Sequence, residues 1–217
     1  SGYKCRFGSL EVAAAYEAAA DELQCALPPQ SAIVTYAFAL SLNGIDWVGG
    51  GLTFQRFAFS PVDSLAPAAG PLDGGTLVRL SGSSFVGGTN YTCRFGGRVV
   101  VAATLVDMGT VQCASPPAAA AGSVTVELSL NGEHYTVDGR TFAYFDVLSV
   151  TPDSGPTEGG TVVRVAGRFL ERGSSYVCRI GASSVAGILV YDANEYVVRC
   201  TTPPGLGAQV VSLAINE

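Results

Sequence analysis

The chain has 217 residues with 12 Lys+Arg against 18 Asp+Glu, a formal charge of -6, and only 14% charged against 48% hydrophobic residues. That length suits one large domain or two to three small ones, the acidic balance with scattered basic residues argues against a nucleic-acid footprint, and so little surface charge needs attached glycans or covering neighbours to stay soluble. The longest apolar run, around Ala32 to Leu42, is interrupted by Thr35 and Ser41 and is too short to cross a bilayer, so no direct membrane insertion is expected.

In chain order, Glu11 to Leu23 comes first; it is rich in Ala and Glu and reads as helix by propensity. Its counterpart further on, Val99 to Val111, carries β-branched residues and a Met108-Gly109 break, so strand, turn and strand are expected in both. Thr76 to Ser81 alternates, Tyr91 to Phe95 and Arg98 to Ala102 read as a tight pair around Gly96-Gly97, and Thr110 to Ala114 follows. Val124, Val126, Leu128 and Leu130 share one face; Asn131-Gly132 then predicts a two-residue hairpin turn with His134 to Val137 returning, and Thr141 to Phe145 closes a sandwich. The short joint Phe145-Asp146-Val147-Leu148 leads to Pro152-x-x-Gly155-Pro156-x-x-Gly159-Gly160-Thr161, which repeats Pro67-x-x-Gly70-Pro71-x-x-Gly74-Gly75-Thr76.

The repeat organises everything else. Cys5, Cys93 and Cys178 lie 88 and then 85 positions apart, each in a Tyr-x-Cys-Arg-(Phe/Ile)-Gly context, and the Pro28-Pro29, Pro116-Pro117 and Pro203-Pro204 pairs keep the same period. Units of this length with many short alternating runs suit a β-sandwich of about seven strands. Three units are expected: residues 1–60 without their first strands, 61–146 complete, and 147–217 without the last hairpin. The chain therefore reads as a window from a longer array, and any secretion leader as removed or upstream of it.

Six cysteines alone would allow 15 connectivities. One early and one late cysteine per repeat selects Cys5 with Cys25, Cys93 with Cys113 and Cys178 with Cys200. Zinc lacks histidine partners and Cys-x-x-Cys pairs. Three internal disulfides point to an oxidising, extracellular compartment, secreted or at a cell surface.

No residue set for catalysis stands out, and no cofactor is expected. His134, the single histidine, sits in a turn without a nucleophile, and the glycines match no phosphate-binding spacing. Asp73, Asp138, Asp153 and Glu158 are conceivable calcium ligands near domain junctions, but no second carboxylate recurs beside the Asp73/Glu158 position, which favours solvated turns. Asn90-Tyr91-Thr92 is an N-glycosylation sequon, and Ser115, Thr201 and Thr202 beside the proline pairs are O-glycosylation candidates. The arginines Arg79/Arg164 and Arg94/Arg179 recur in register and are expected as solvated outward side chains.

Three motifs together resemble the IPT/TIG domain, the immunoglobulin-like fold of plexins and certain transcription factors. They are Pro67 to Thr76 with its following strand and Gly82-x-x-Phe85, the Cys93-x-Phe95-Gly96 step, and the Cys113-x-x-Pro116-Pro117 step before Gly122 to Leu130. The third unit matches with Pro152 to Thr161, Gly167-x-Phe169, Cys178-x-Ile180-Gly181 and Cys200-x-x-Pro203-Pro204. The resemblance implies an all-β chain of tandem immunoglobulin-like β-sandwiches of the early-set, IPT/TIG type, with no enzymatic activity of its own. It fits an extracellular structural array, a rod, fibre or surface glycoprotein coat that self-associates with further repeats or neighbouring chains. The alternatives are the stalk of a plexin-like receptor or adhesion protein and, behind it, an accessory module of a carbohydrate-active enzyme, for which the sole tryptophan, Trp47, is a slender basis.

Overall fold

The computed structural model describes residues 2–28, 34–57 and 60–216. Pro29 of the first proline pair, and Ala32 and Ile33 at the start of the apolar run, lie outside the described residues. The chain divides into two compact units, residues 1–59 and 60–217.

The first unit is one antiparallel sheet built from β1 (Lys4–Phe7), β2 (Leu10–Glu17), β3 (Glu22–Cys25), β4 (Thr35–Ser41) and β5 (Thr53–Gln55), in the order β3-β2-β1-β4-β5. The Ala-rich segment is strand, turn and strand. Its neighbours overrule its helix propensity: Leu10 to Ala13 pair with β1, and Ala14 to Glu17 pair with β3. Asp21 turns the chain with a φ of 53° and accepts a 2.6 Å hydrogen bond from the Tyr16 hydroxyl.

The second unit holds two sandwiches built on one plan. In the first, β6 (Val62–Ala66), β8 (Leu77–Gly82) and β11 (Thr110–Ala114) form one layer, and β9 (Thr92–Phe95), β12 (Gly122–Ser129), β7 (Ala69–Pro71) and β13 (Thr141–Thr151) form the other. Between them β10 (Val99–Asp107) changes partner midway, pairing with β9 over Val99 to Ala102 and with β11 from Ala103. The other sandwich uses β14 (Val162–Arg168), β15 (Tyr176–Ile180), β16 (Ser183–Asp192), β17 (Glu195–Thr201) and β18 (Val211–Ile215), and β16 makes the same switch between β15 and β17. Alternation supplies the core: Val78, Leu80, Val111, Leu128 and Phe142 are all at most 1% exposed, each fully buried aliphatic or aromatic side chain contributing about 2 kcal/mol relative to exposure.

The two proline motifs of each repeat interlock. Gly75 N–H donates to Ser115 O at 2.8 Å, Thr76 N–H to Ser115 Oγ at 3.1 Å, and Ser115 N–H back to Thr76 O at 2.8 Å. In the third repeat Gly160, Thr161 and Thr202 repeat this set at 2.9, 3.1 and 2.8 Å. Gly74 and Gly159 both stand at a φ of 76°, and a Cβ on either would lie 2.6 Å from the backbone carbon of Pro116 or Pro203. Only glycine satisfies both the positive φ and the close approach.

Two expectations need correction. The segment after Asn131-Gly132 does not return as a strand; β12 pairs instead with β9 and β13, and Tyr135 makes only an isolated bridge to Ser129. Local side chains take over the backbone here: Asn131 Oδ1 accepts Glu133 N–H and His134 N–H at 3.1 and 3.0 Å, and buried Thr136 exchanges bonds with Leu128 through both its backbone N–H and its hydroxyl. The second correction concerns Gly167-x-Phe169. The counterpart of fully buried Phe85 is Leu170, also 0% exposed, in a single 3-10 turn Leu170–Arg172; Phe169 stands at a φ of 59° beside it.

Candidate functional site

The feature that joins two repeats into one body is β13. Its residues Thr141 to Tyr144 pair antiparallel with Thr125 to Gly122 of β12, Ala143 to Phe145 run parallel to β7, and Asp146 to Thr151 pair antiparallel with β14. One strand therefore ends the second repeat and begins the third. Its sequence permits this: Val147, Leu148 and Val150 are β-formers, and no glycine or proline interrupts residues 141–151.

Three contacts fix the direction of the strand at the crossing. The Asp146 carboxylate, 14% exposed, takes a forked pair from Arg168, with Nε at 3.1 and 3.2 Å from its two oxygens and Nη2 on Oδ2, and it also accepts the Arg168 backbone N–H. The guanidinium holds the Asp146 carboxyl below the usual carboxylate range, the hydrogen bonds outweighing the opposing effect of burial. Asn216 reaches across from the third repeat, donating Nδ2–H to Ala69 O at 2.9 Å while its Oδ1 accepts Ser174 N–H at 2.8 Å. Beneath both, one apolar cluster runs through the joint, with Ala69, Ala143 and Phe145 of the second repeat packed with Val165, Leu170 and Ile215 of the third.

A second feature is a cleft of about 630 Å³ in the third repeat, between Ser154-Gly155-Pro156 and Gly207-Ala208-Gln209, floored by Val163, Ile180 and Val211. The corresponding place in the second repeat lies between β7 and the start of β12, where Thr141 to Phe145 is seated, Phe142 against Phe95 at 5.9 Å and the Tyr144 hydroxyl donating to Pro116 O at 2.8 Å.

The cysteines form three bridges, Cys5–Cys25, Cys93–Cys113 and Cys178–Cys200, with Cα separations of 6.2, 6.4 and 6.3 Å. Each ties a strand of one layer to the β3, β11 or β17 strand. Asn90 is exposed, with its backbone N–H on Leu130 O and the Thr92 hydroxyl of its sequon 3.0 Å from Tyr135 Oη. Thr201 is exposed and Thr202 half-buried with its hydroxyl accepting Thr161 N–H. Ser115 is different: it is 3% exposed and its hydroxyl sits in the proline clasp, which removes it as a glycan acceptor.

His134 is exposed beside Asn131, with no nucleophile near it in its contacts. Asp138 accepts Val62 N–H at 2.8 Å, Asp73, Asp153 and Glu158 are exposed, and among the described residues no three carboxylate, cysteine or histidine groups gather as a metal site. Two recurrent arginines have partners where solvated side chains were expected. Arg94 pairs with Glu127 at 2.5 Å and stacks 4.0 Å from the Tyr135 ring, and Arg164 pairs with Glu195 and Asp192. Arg6 likewise lies over Trp47, at 4.5 Å, so one face of the single tryptophan is covered.

Sequence reasoning noted the Tyr-x-Cys context without assigning the tyrosine a task. Tyr91 Oη donates to Phe85 O at 2.8 Å, and Tyr176 Oη to Leu170 O at 2.7 Å, each fastening the loop that precedes its strand. The invariant spacing within the chain, tyrosine two before cysteine, was the available signal. Nothing in the sequence pattern singled out Asn216 or the Asp146–Arg168 pair.

Among solved structures, the chain is similar to the plexin A4 full extracellular region at 14% identity and a TM-score of 0.48, covering 99% of this chain and 20% of that one. It is also similar to SGBP-B of the Bacteroides ovatus mixed-linkage glucan utilization locus, solved with a mixed-linkage heptasaccharide, at 12% identity and 0.32 over 98% of this chain and 58% of that one. The Escherichia coli adhesin FdeC matches at 13% identity and 0.34, covering 86% of this chain and 70% of that one. The chain thus spans a fifth of the plexin A4 region and just over half of the Bacteroides protein. In sequence, the IPT/TIG domain matches residues 61–144 and 147–216, either side of the crossing in β13. That match takes in well over half of the 217 residues, and the chain belongs to the IPT/TIG domain family, a family of non-catalytic immunoglobulin-like domains.

Proposed function

We propose that this chain is part of a non-enzymatic extracellular structural array, in which successive repeats are set in a fixed direction to make a rod, fibre or surface coat. The observation that carries the reading is the joint. A strand shared by two sandwiches, clamped by Asp146–Arg168 and Asn216 to Ala69 over a common apolar cluster, opposes bending where a glycine-rich linker would allow it. Three disulfides suit an extracellular setting, and low charge suits contact with neighbouring chains. Glycans on Asn90 and Thr201, both exposed, would add solubility to a surface with few charges.

The stalk of a cell-surface receptor or adhesion protein needs the same stiffness and remains the second reading. Spin labels on exposed positions of the second and third repeats test the shared element, with pulsed dipolar spectroscopy expected to give one narrow distance distribution. A broad distribution would remove the support for both readings. Electron microscopy of native material separates them: filaments or lateral contacts belong to the array, and dispersed particles held at a membrane belong to the stalk.

A further inference from the structure

Two loops in different repeats contain the same four residues, Ser41-Leu42-Asn43-Gly44 and Ser129-Leu130-Asn131-Gly132. In both, a serine buried to 1% or less sends its hydroxyl out of the core to the loop, which is an unusual place for a polar group without a reason. Ser41 Oγ accepts Gly44 N–H at 2.9 Å, and Ser129 Oγ accepts Gly132 N–H at 2.9 Å. Both hydroxyls also donate to the asparagine Oδ1, at 3.2 and 3.1 Å. The asparagine oxygen takes two further backbone N–H groups, those of Ile45 and Asp46 in one loop and of Glu133 and His134 in the other, at 2.9 to 3.1 Å.

Asparagine followed by glycine is the dipeptide with the least steric protection against self-modification. The glycine nitrogen, once it loses its proton, attacks the asparagine Cγ. A new N–C bond closes a five-membered succinimide, and the side-chain nitrogen leaves as ammonia. Water then opens the ring at either carbonyl, giving aspartate or isoaspartate. The attacking electron pair lies in the peptide plane, along the direction the N–H bond occupied. In both loops that direction points at the serine oxygen and not at Cγ, while the other bonds hold the carboxamide from swinging into its path.

We infer that Asn43–Gly44 and Asn131–Gly132 are latent deamidation sites held closed by Ser41 and Ser129. The consequences of opening differ between the loops. Asn43 Nδ2 donates to Asp46 Oδ2 at 2.8 Å, so a new carboxylate there would face an existing one. Asn131 Nδ2 lies 3.2 Å from His134 Nδ1, so a carboxylate there would face a ring nitrogen that donates a hydrogen bond in its N–H tautomer. Aspartate is therefore tolerated at position 131 and repelled at 43.

The test is peptide mapping by mass spectrometry of the full chain incubated in mildly alkaline buffer, following the mass change from amide to acid and the isoaspartate content at each site. The intact chain should convert at both sites far more slowly than the same chain in denaturant. Ser129→Ala should raise the rate at Asn131 by roughly five- to tenfold, the factor that one neutral hydrogen bond contributes to a local equilibrium, and leave Asn43 unchanged. Ser129→Thr, which keeps the hydroxyl, should restore protection. Val111→Ala controls for stability, since it weakens the same repeat without touching the loop. Equal rates in native and denatured chain, or equal acceleration by Val111→Ala and Ser129→Ala, would overturn the inference.

Discussion

A hydroxyl beside a proline pair can face outward to carry a sugar or inward to hold a turn, and Ser115 holds the turn. Its Oγ accepts Thr76 N–H at 3.1 Å from a position 3% exposed, so removing it leaves the half-buried Thr76 donor facing an apolar methyl in a position water reaches poorly. Ser115→Ala should lower the stability of the second repeat by about 1 kcal/mol in urea unfolding, the typical net contribution of one neutral hydrogen bond. Thr202→Val removes the equivalent bond to Thr161 N–H from a half-buried site, where water can replace it in part, and should cost less. Thr201→Ala, at an exposed position with its side chain outside the clasp, should change stability by no more than about 0.5 kcal/mol. Equal losses at all three positions would mean that the clasp geometry does not decide the effect.

At the scale of elements, β13 is the strand on which the relation between two repeats depends, and its clamp has a pH signature. Asp146 is held below the usual carboxylate range by Arg168, so its folded value lies under its unfolded one. The stabilisation is then complete above the unfolded aspartate value of roughly 4 and is lost as pH falls through the lower folded value. The inter-repeat distance distribution should stay narrow in weak acid and broaden only in stronger acid. Asp146→Asn should already be broader at neutral pH and insensitive to acidification. Because the Arg168 side chain is 53% exposed, solvent screens the pair, and the apolar cluster keeps the repeats together after it opens.

The strands that pair across the sandwich were legible from alternation and from the repeat, which even corrected the helix propensity of Glu11 to Leu23. The loop after Leu130 was not, because Asn-Gly signals a tight hairpin only when no nearby side chain competes for the backbone, and Ser129, Asn131 and Thr136 all do. The shared strand escaped for a different reason. The sequence motifs of the two repeats divide near Asp146 but say nothing of backbone continuity there, and the residues that secure the crossing, Asp146 with Arg168 and Asn216 with Ala69, are 22 and 147 positions apart.

For the whole molecule, the disulfides bear unequally on its two units. Each closes a separation of 20 to 22 residues and contributes about 3 kcal/mol by restricting the unfolded chain. Residues 60–217 bury most of the apolar core, including Phe85, Phe142, Leu80, Leu128 and Leu170 at 1% exposure or less. Among the described residues of 1–59 the buried hydrophobic side chains are Cys5, Phe7 and Ala39, and Phe7 is helped by ring contacts to Phe38 and Phe54 at 5.2 and 5.3 Å. A unit with so small a core depends on its cross-link, since a net stability of a few kcal/mol is comparable to what the bridge supplies. Hydrogen exchange read by mass spectrometry, with and without a thiol-free reductant, should show the amides of β1 to β4 losing protection first while those of β8, β11, β12 and β13 keep theirs. Uniform loss across both units, or loss beginning in the second and third repeats, would mean that the cross-links and not the cores set the order of stability. The ordering expected instead follows from area: where many apolar side chains are buried the bridge adds to an existing core, and where few are it stands in for one.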